Sequence, residues 1–384
     1  MQTLSKTYMV KNIKLTYNDI TIVPEVVTEI SSRSECNPYD DSGFLPIFAS
    51  CMSSVVSMEN YKTFNDSKIR VVIPRTYSYE ERLKFLFNNN VNFVAFSLKE
   101  TEVLFSDGKI NTPYVDSKFP IKICIDLANG HMKSLLRLVR DIKEAHGDKV
   151  IIMTGNIANP DTYREYVKAG VDYARISIGS GDACITSSLT GIHFPVFSLL
   201  KEIYEIKKEM NAQCKIIADG GIRDYRDVQK ALIYADYVMI GSIFNSAIDS
   251  AGVAKYGKCY WNINGTKILR PFKTLLKYNR VVNPKDYQKV LADIKNGKIE
   301  VWKEYFGMAS KKAQKLINKG NNTNNKLKTS EGTIKRNKVS LSISGWSENE
   351  TDALRSAMSY TNSKNLEEFK ESKWVVVMNV PYNK

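Results

Sequence analysis

The chain has 384 residues, 43% of them hydrophobic, and a formal net charge of +14. That is enough for a sizeable core in one large barrel domain or two to three smaller ones. No run of about 18 apolar residues occurs, which argues against a membrane span. The start, Met1-Gln2-Thr3-Leu4-Ser5-Lys6, lacks the apolar stretch of a secretory signal, so the expected compartment is the cytoplasm.

Eight strand-like runs follow in chain order: Pro46 to Ser50, Arg70 to Ile73, Phe93 to Phe96, Ile121 to Asp126, Val150 to Thr154, Tyr173 to Ile178, Lys215 to Asp219 and Tyr237 to Ile240. Helical patterns lie between them, at Lys133 to His146, Pro160 to Ala169, Pro195 to Met210 and Asp224 to Tyr234. The first places Leu135, Leu136, Val139 and Ile142 on one face. Eight strand-helix units predict an α/β fold, a (β/α)8 TIM barrel. The strand ends agree, because polar residues and glycines gather there: Asp126 to Gly130, Thr154-Gly155-Asn156, Gly179 to Cys184, Asp219-Gly220-Gly221 and Gly241-Ser242. An open doubly wound sheet competes, but no GxGxxG stands near the start.

Beyond residue 250 the alternation stops. Residues 253–303 hold twelve Lys or Arg against three acids and read as a basic insertion with one helical piece, about Pro284 to Lys295. Such a stretch is either a solvated lysine-rich surface or a contact for nucleic acid or another protein. Residues 321–338 are poor in apolar side chains and read as a mobile flap or loop. A helix, about Glu348 to Ser359, and a strand, Trp374 to Met378, close the chain.

Six cysteines are scattered with no CxxC pair, so neither a zinc site nor a redox dithiol is expected. The three histidines, His131, His146 and His193, do not suggest a histidine-based metal site or triad. One cysteine stands apart, in Gly179-Ser180-Gly181-Asp182-Ala183-Cys184-Ile185-Thr186. Glycines at alternate positions let a backbone turn sharply and approach a ligand. A cysteine ending such a turn is exposed to substrate, and nearby amides stabilise its thiolate. The pattern points to covalent catalysis.

These motifs, with Leu15 to Ile20, Ile125 to His131, Ile217 to Ile222 and Tyr305 to Ser310, resemble the inosine-monophosphate dehydrogenase and guanosine-monophosphate reductase family. The resemblance runs from about residue 12 to 380, interrupted by the insertion. Dehydrogenases of the family usually carry CBS modules and a flap Arg-Tyr pair. Here about 45 residues separate Ile73 from Ile121, too few for CBS modules, and no such pair follows residue 310. Lys328-Thr329-Ser330-Glu331-Gly332 looks like the reductase segment. The resemblance therefore implies a single barrel domain over 1–384 without CBS modules, closest to the reductase branch and forming a homo-oligomer, commonly a tetramer. Its substrate would be a purine nucleotide. The alternatives are the dehydrogenase direction with NAD, and an altered barrel whose basic insertion binds nucleic acid or protein.

By resemblance, Cys184 attacks C2 of GMP, ammonia leaves with help from Thr186 and Glu331, and NADPH delivers hydride to give IMP. Asp219 would accept ribose hydroxyls, and Gly220, Gly221, Gly241 and Ser242 would hold the 5′-phosphate. Tyr305, Gly307, Met308, Ala309 and Ser330 would close over the nucleotide. Asp126, Gly155 and Asn156 match positions around the nicotinamide. The carbonyls of Gly179, Gly181 and Cys184 match a monovalent-cation (potassium) site. Two positions depart from the pattern. Asp182 replaces a phosphate-binding serine, and an unopposed carboxylate about 4 Å from a phosphate costs roughly 4 kcal/mol at an effective dielectric near 20. Cys51-Met52-Ser53-Ser54 replaces Met-Asp-Thr, which alters the pocket floor.

Overall fold

A computed structural model describes residues 13–112, 119–252, 254–263, 266–270, 287–327 and 329–377. A short strand, β1 (Ile20–Ile22), precedes a closed parallel barrel of β2 (Ile47–Ala49), β3 (Arg70–Ile73), β4 (Phe93–Phe96), β5 (Ile121–Asp126), β6 (Val150–Ile157), β7 (Tyr173–Ile176), β8 (Lys215–Asp219) and β9 (Tyr237–Ile240). Pairing of Ile47 with Val238 and Ala49 with Ile240 closes the ring. This is the (β/α)8 architecture expected from the sequence.

Strand alternation divides the core in two. Phe48, Val72, Phe93, Ala95, Cys124, Met153, Ile217 and Met239 fill the barrel interior, while Ile47, Ala49, Val71, Ile73, Val94, Ile123 and Ile125 face the helices. Phe48, Phe93, Tyr173 and Tyr237 meet at ring-centroid distances of 5.3–6.2 Å. Three of the four open their strands, so aromatic rings plug the N-terminal end of the barrel. Polar side chains are left to the opposite, C-terminal mouth, where this fold keeps its chemistry.

The helices start and stop where local chemistry dictates. Pro160 opens the helix Pro160–Ala169, Asn159 caps it by accepting from the Asp161 amide at 2.9 Å, and Gly170 ends it at φ 85°. Lys133–His146 buries Leu135, Val139 and Ile142.

After the barrel the chain builds a four-stranded antiparallel sheet, ordered β11-β10-β12-β13 from β10 (Ala254–Ile263), β11 (Thr266–Arg270), β12 (Ile299–Phe306) and β13 (Ile334–Lys338). The helical piece foreseen in this region spans Tyr287–Lys295. β13 lies inside the stretch read from sequence as a loop. Its Ile-Lys-Arg-Asn-Lys sequence has no apolar face, and its extended form comes from pairing with β12, Tyr305 opposite Lys335 and Phe306 opposite Ile334. β12 is tied to the barrel by Lys303, whose buried ammonium donates to the carbonyls of Ala247, Ile248 and Ser250 at 2.7–3.0 Å. The helix Ile343–Tyr360 packs Trp346, Leu354 and Met358 into the main core, and β14 (Trp374–Val376) pairs antiparallel with β1. No helix among the described residues is long and apolar enough to cross a membrane.

Candidate active site

A cavity of about 280 Å³ opens at the C-terminal mouth of the barrel, at the small end of ligand pockets. Its lining includes Asp126, Asn156, Gly179, Gly181, Cys184, Thr186, Asp219, Gly220, Gly241, Tyr305, Gly307, Met308, Ala309 and Glu331. A smaller polar recess of about 30 Å³ continues from it, lined by Gly181, Asp182, Gly220, Gly221, Arg223, Ser242 and Tyr305 among others. Most of the residues singled out from sequence are therefore brought together. Gly155 and Ser330 line neither space. A side chain at Gly155 would sit 2.5 Å from the Arg175 carbonyl oxygen, and the Ser330 hydroxyl turns back to the Gly332 carbonyl at 2.6 Å.

The cysteine loop is held by a second segment from far along the chain. Thr333 N donates to Ala183 O at 2.9 Å, Gly332 bridges Cys184, and Ile185 N donates to Glu331 O at 2.9 Å. These antiparallel contacts carry Glu331 to the Cys184 loop. The Thr186 hydroxyl donates to Glu331 Oε2 at 2.8 Å, and the Cys184 thiol lies 3.3 Å from Thr186 Oγ1. A thiol, a hydroxyl and a carboxylate thus form one continuous relay at the cavity wall, able to move a proton between sulfur and a leaving group.

Cys51 also lines the cavity. It is buried, and a hydrogen bond with Cys124, burial and the Asp126 charge push its thiol pKa up. Cys184 is half-exposed. Of the two, Cys184 is the more accessible.

The floor is a buried charge network that motif reading missed. Arg175 bridges Asp126 and Asp219, each at 2.8 Å, and Arg75 adds a second cation to Asp126 at 3.1 Å. Asn156 donates to Asp219 Oδ2 at 2.7 Å. An irregularity in the β6–β7 pairing between Gly155 and Ile157 accompanies this placement of Asn156. Asp219 Oδ2 is thereby shared between Asn156 and Arg175. The only local signal for Arg175 was a cation within an otherwise apolar strand.

Burial pushes the Asp126 carboxyl up, but Arg75 and Arg175 outweigh it and bring the pKa down to about 2. Ionised Asp126 therefore stabilises the fold above the ordinary carboxyl range. That contribution, about 2 kcal/mol, is lost as pH falls from near 4 through 2. Acid unfolding followed by circular dichroism is expected to steepen in that window, and Asp126→Asn to remove the added steepness.

Asp182 does not stand unopposed. Lys335 Nζ lies 2.6 Å from its Oδ1. Tyr305 lies beside this pair, in register with Lys335. Burial, with Asp182, Asp219 and Cys184 nearby, pushes its phenol pKa well up and keeps it protonated. Its hydroxyl lies 2.7 Å from where a Gly241 side chain would begin, so any larger residue there would have to displace Tyr305. Gly220 and Gly221, at φ 100° and 83°, fold the β8 end against the Gly181 backbone.

Comparison with known proteins matches residues 120–270 to a domain described as IMP dehydrogenase / GMP reductase domain. A GMP reductase of Vibrio vulnificus (strain YJ016) is 30% identical over 270 residues, covering 66% of this chain and 76% of the relative. One from Shewanella pealeana is 29% identical over 308 residues, covering 68% and 85%. One from Staphylococcus saprophyticus is 31% identical over 253 residues, covering 64% and 75%.

Proposed function

We propose, because this chain belongs to the IMP dehydrogenase / GMP reductase family, that it reductively deaminates GMP or a close purine-nucleotide analogue to IMP and ammonia. The observation that carries the reading is the Cys184–Thr186–Glu331 relay at the wall of the mouth cavity.

In this reading the Cys184 sulfur adds to C2 of the purine. The C2–N bond breaks, and the exocyclic nitrogen leaves as ammonia, taking up the thiol proton through Thr186 and Glu331. An amine leaves readily only when protonated, which is why the carboxylate must reach this wall. A reduced nicotinamide, expected to be NADPH, supplies the hydride that replaces sulfur at C2. The thiolate is thereby released and regains a proton from solvent, so the balance is GMP, NADPH and one proton in, and IMP, NADP⁺ and ammonia out. Asp126 and Asn156, with apolar Leu127, Ala128 and Met308 on the same cavity lining, would hold the nicotinamide. Asp219 would hold the ribose, and the recess at Gly220, Gly221, Gly241 and Ser242 the phosphate. A potassium ion on the carbonyls of Gly179, Gly181 and Cys184, and assembly into a homotetramer, belong to the same reading.

Incubation of purified protein with GMP and NADPH is expected to lower absorbance at the reduced-nicotinamide band, with one ammonia released per NADPH consumed. Failure with both GMP and its deoxy form would overturn the substrate assignment. Formation of XMP from IMP and NAD would instead assign the oxidative direction.

A further inference from the structure

Two features at opposite ends of one short contact invite a mechanical connection. Residues 331–335 run antiparallel to residues 182–186, joined by Thr333 N to Ala183 O, the Gly332–Cys184 bridge and Ile185 N to Glu331 O. At one end, Glu331 accepts from Thr186 beside the nucleophile. At the other, Lys335 pairs with Asp182, which lines the recess assigned above to the phosphate. Three residues separate the two functional ends.

The Lys335–Asp182 pair is exposed, 45% and 37% by side chain. A pair this wet holds a segment only weakly on its own. The recess, however, has unmet capacity for an anion. Arg223 lines it, and the buried Ser180 hydroxyl, on the same wall, has no partner among the described residues. A dianion entering there would meet Asp182 unless Lys335 stayed between the two negative groups. An ammonium donates three hydrogen bonds and serves both acceptors. Phosphate arrival would then tighten the lysine at a point next to the contact that presents Glu331.

We propose that Lys335 is a positioning residue that senses the substrate phosphate: seated between Asp182 and the 5′-phosphate, it pins the 331–335 segment along the cysteine loop and so sets Glu331 against Thr186. The inference rests on the reading of the recess as the phosphate subsite. It makes Asp182 part of a relay of charge, in which binding energy from the remote phosphate is used at the reacting carbon. Asp182 thereby becomes a specificity element, since the acid makes the lysine indispensable and the lysine makes the phosphate felt.

The test compares GMP with guanosine, which lacks the phosphate. Hydrogen exchange of the amides of residues 331–335 should slow at least several-fold with GMP and little with guanosine. Lys335→Met should abolish that difference and Lys335→Arg largely keep it. In kinetics, Lys335→Met should lower the GMP-to-guanosine ratio of kcat/KM on the order of 10- to 100-fold, with loss in kcat as well as rise in KM. Adding Asp182→Asn to Lys335→Met should recover KM and leave kcat low. Equal protection by both ligands, no protection by either, or undiminished protection in Lys335→Met would overturn the proposal. Loss of turnover by the same factor for both substrates would reduce Lys335 to a structural residue and also overturn it. A protein that shows Lys335-dependent protection by GMP yet oxidises no NADPH would sink the proposed reaction and leave this inference standing.

Discussion

A Cys184→Ala variant is expected to fold, to bind GMP, and to lose turnover by on the order of 10⁴-fold or more. The size follows from its position. In the proposed path sulfur makes the first bond to carbon and is the group the hydride later displaces, so no neighbour substitutes for it. Cys51, the other thiol on the cavity, is buried, raised in pKa and hydrogen-bonded within the floor. Little stability should be lost, because Cys184 is half-exposed and its sulfur makes one hydrogen bond among the described residues, to Thr186. The measurements are thermal melting with and without GMP, NADPH oxidation, and mass spectrometry of protein mixed with GMP without reductant. An adduct on the Cys184 peptide of the wild type, absent from the variant, is the expected result. Retention of more than about a hundredth of the wild-type rate in the variant would refute nucleophilic catalysis at this residue.

Arg175→Met is expected to destabilise the fold by about 3–5 kcal/mol, the range for removing one partner of a buried ion pair. The guanidinium is 6% exposed and serves two carboxylates, Asp126 and Asp219, at 9% and 11%. Methionine fills much of the volume and none of the charge, leaving Asp219 with an amide donor from Asn156, and Asp126 with Arg75 as its one cation beside the Cys51 thiol. Lysine is not a safe replacement, since it cannot span two acids with a fixed fork. Guanidinium-induced unfolding measures the loss. Arg175→Met combined with Asp126→Asn should recover part of it, because the second change removes an acid that the first left short of cations. An Arg175→Met midpoint matching the wild type would mean that the floor does not need its central cation.

Much of this architecture can be read from the chain. Short apolar runs ending in Asp, Asn and Gly identify barrel strands, and five of the foreseen strands, at Arg70–Ile73, Phe93–Phe96, Ile121–Asp126, Lys215–Asp219 and Tyr237–Ile240, have the same bounds in the structure. The cysteine loop is legible because its glycines and its thiol are local to one another. What is not legible is set by partners remote in sequence. Ile334–Lys338 carries no strand pattern and is extended because Tyr305 and Phe306 offer an open edge. Lys335 lies 153 residues from the acid it neutralises. Arg175 reads as an anomaly in its strand until folding brings Asp126 and Asp219 to either side. The doubt raised by Asp182 had the same origin, since the acid lies in a recognisable motif and its counter-ion does not.

The backbone contact between the cysteine loop and the 331–333 segment has a consequence for biosynthesis. Translation proceeds from the amino end, and all eight barrel strands precede residue 252. A nascent chain can therefore close its barrel around the sulfur while the acid that completes the relay is still unmade. In the proposed mechanism, deamination becomes possible only once the ribosome has delivered the far segment, so a barrel that is already closed stays unreactive until then.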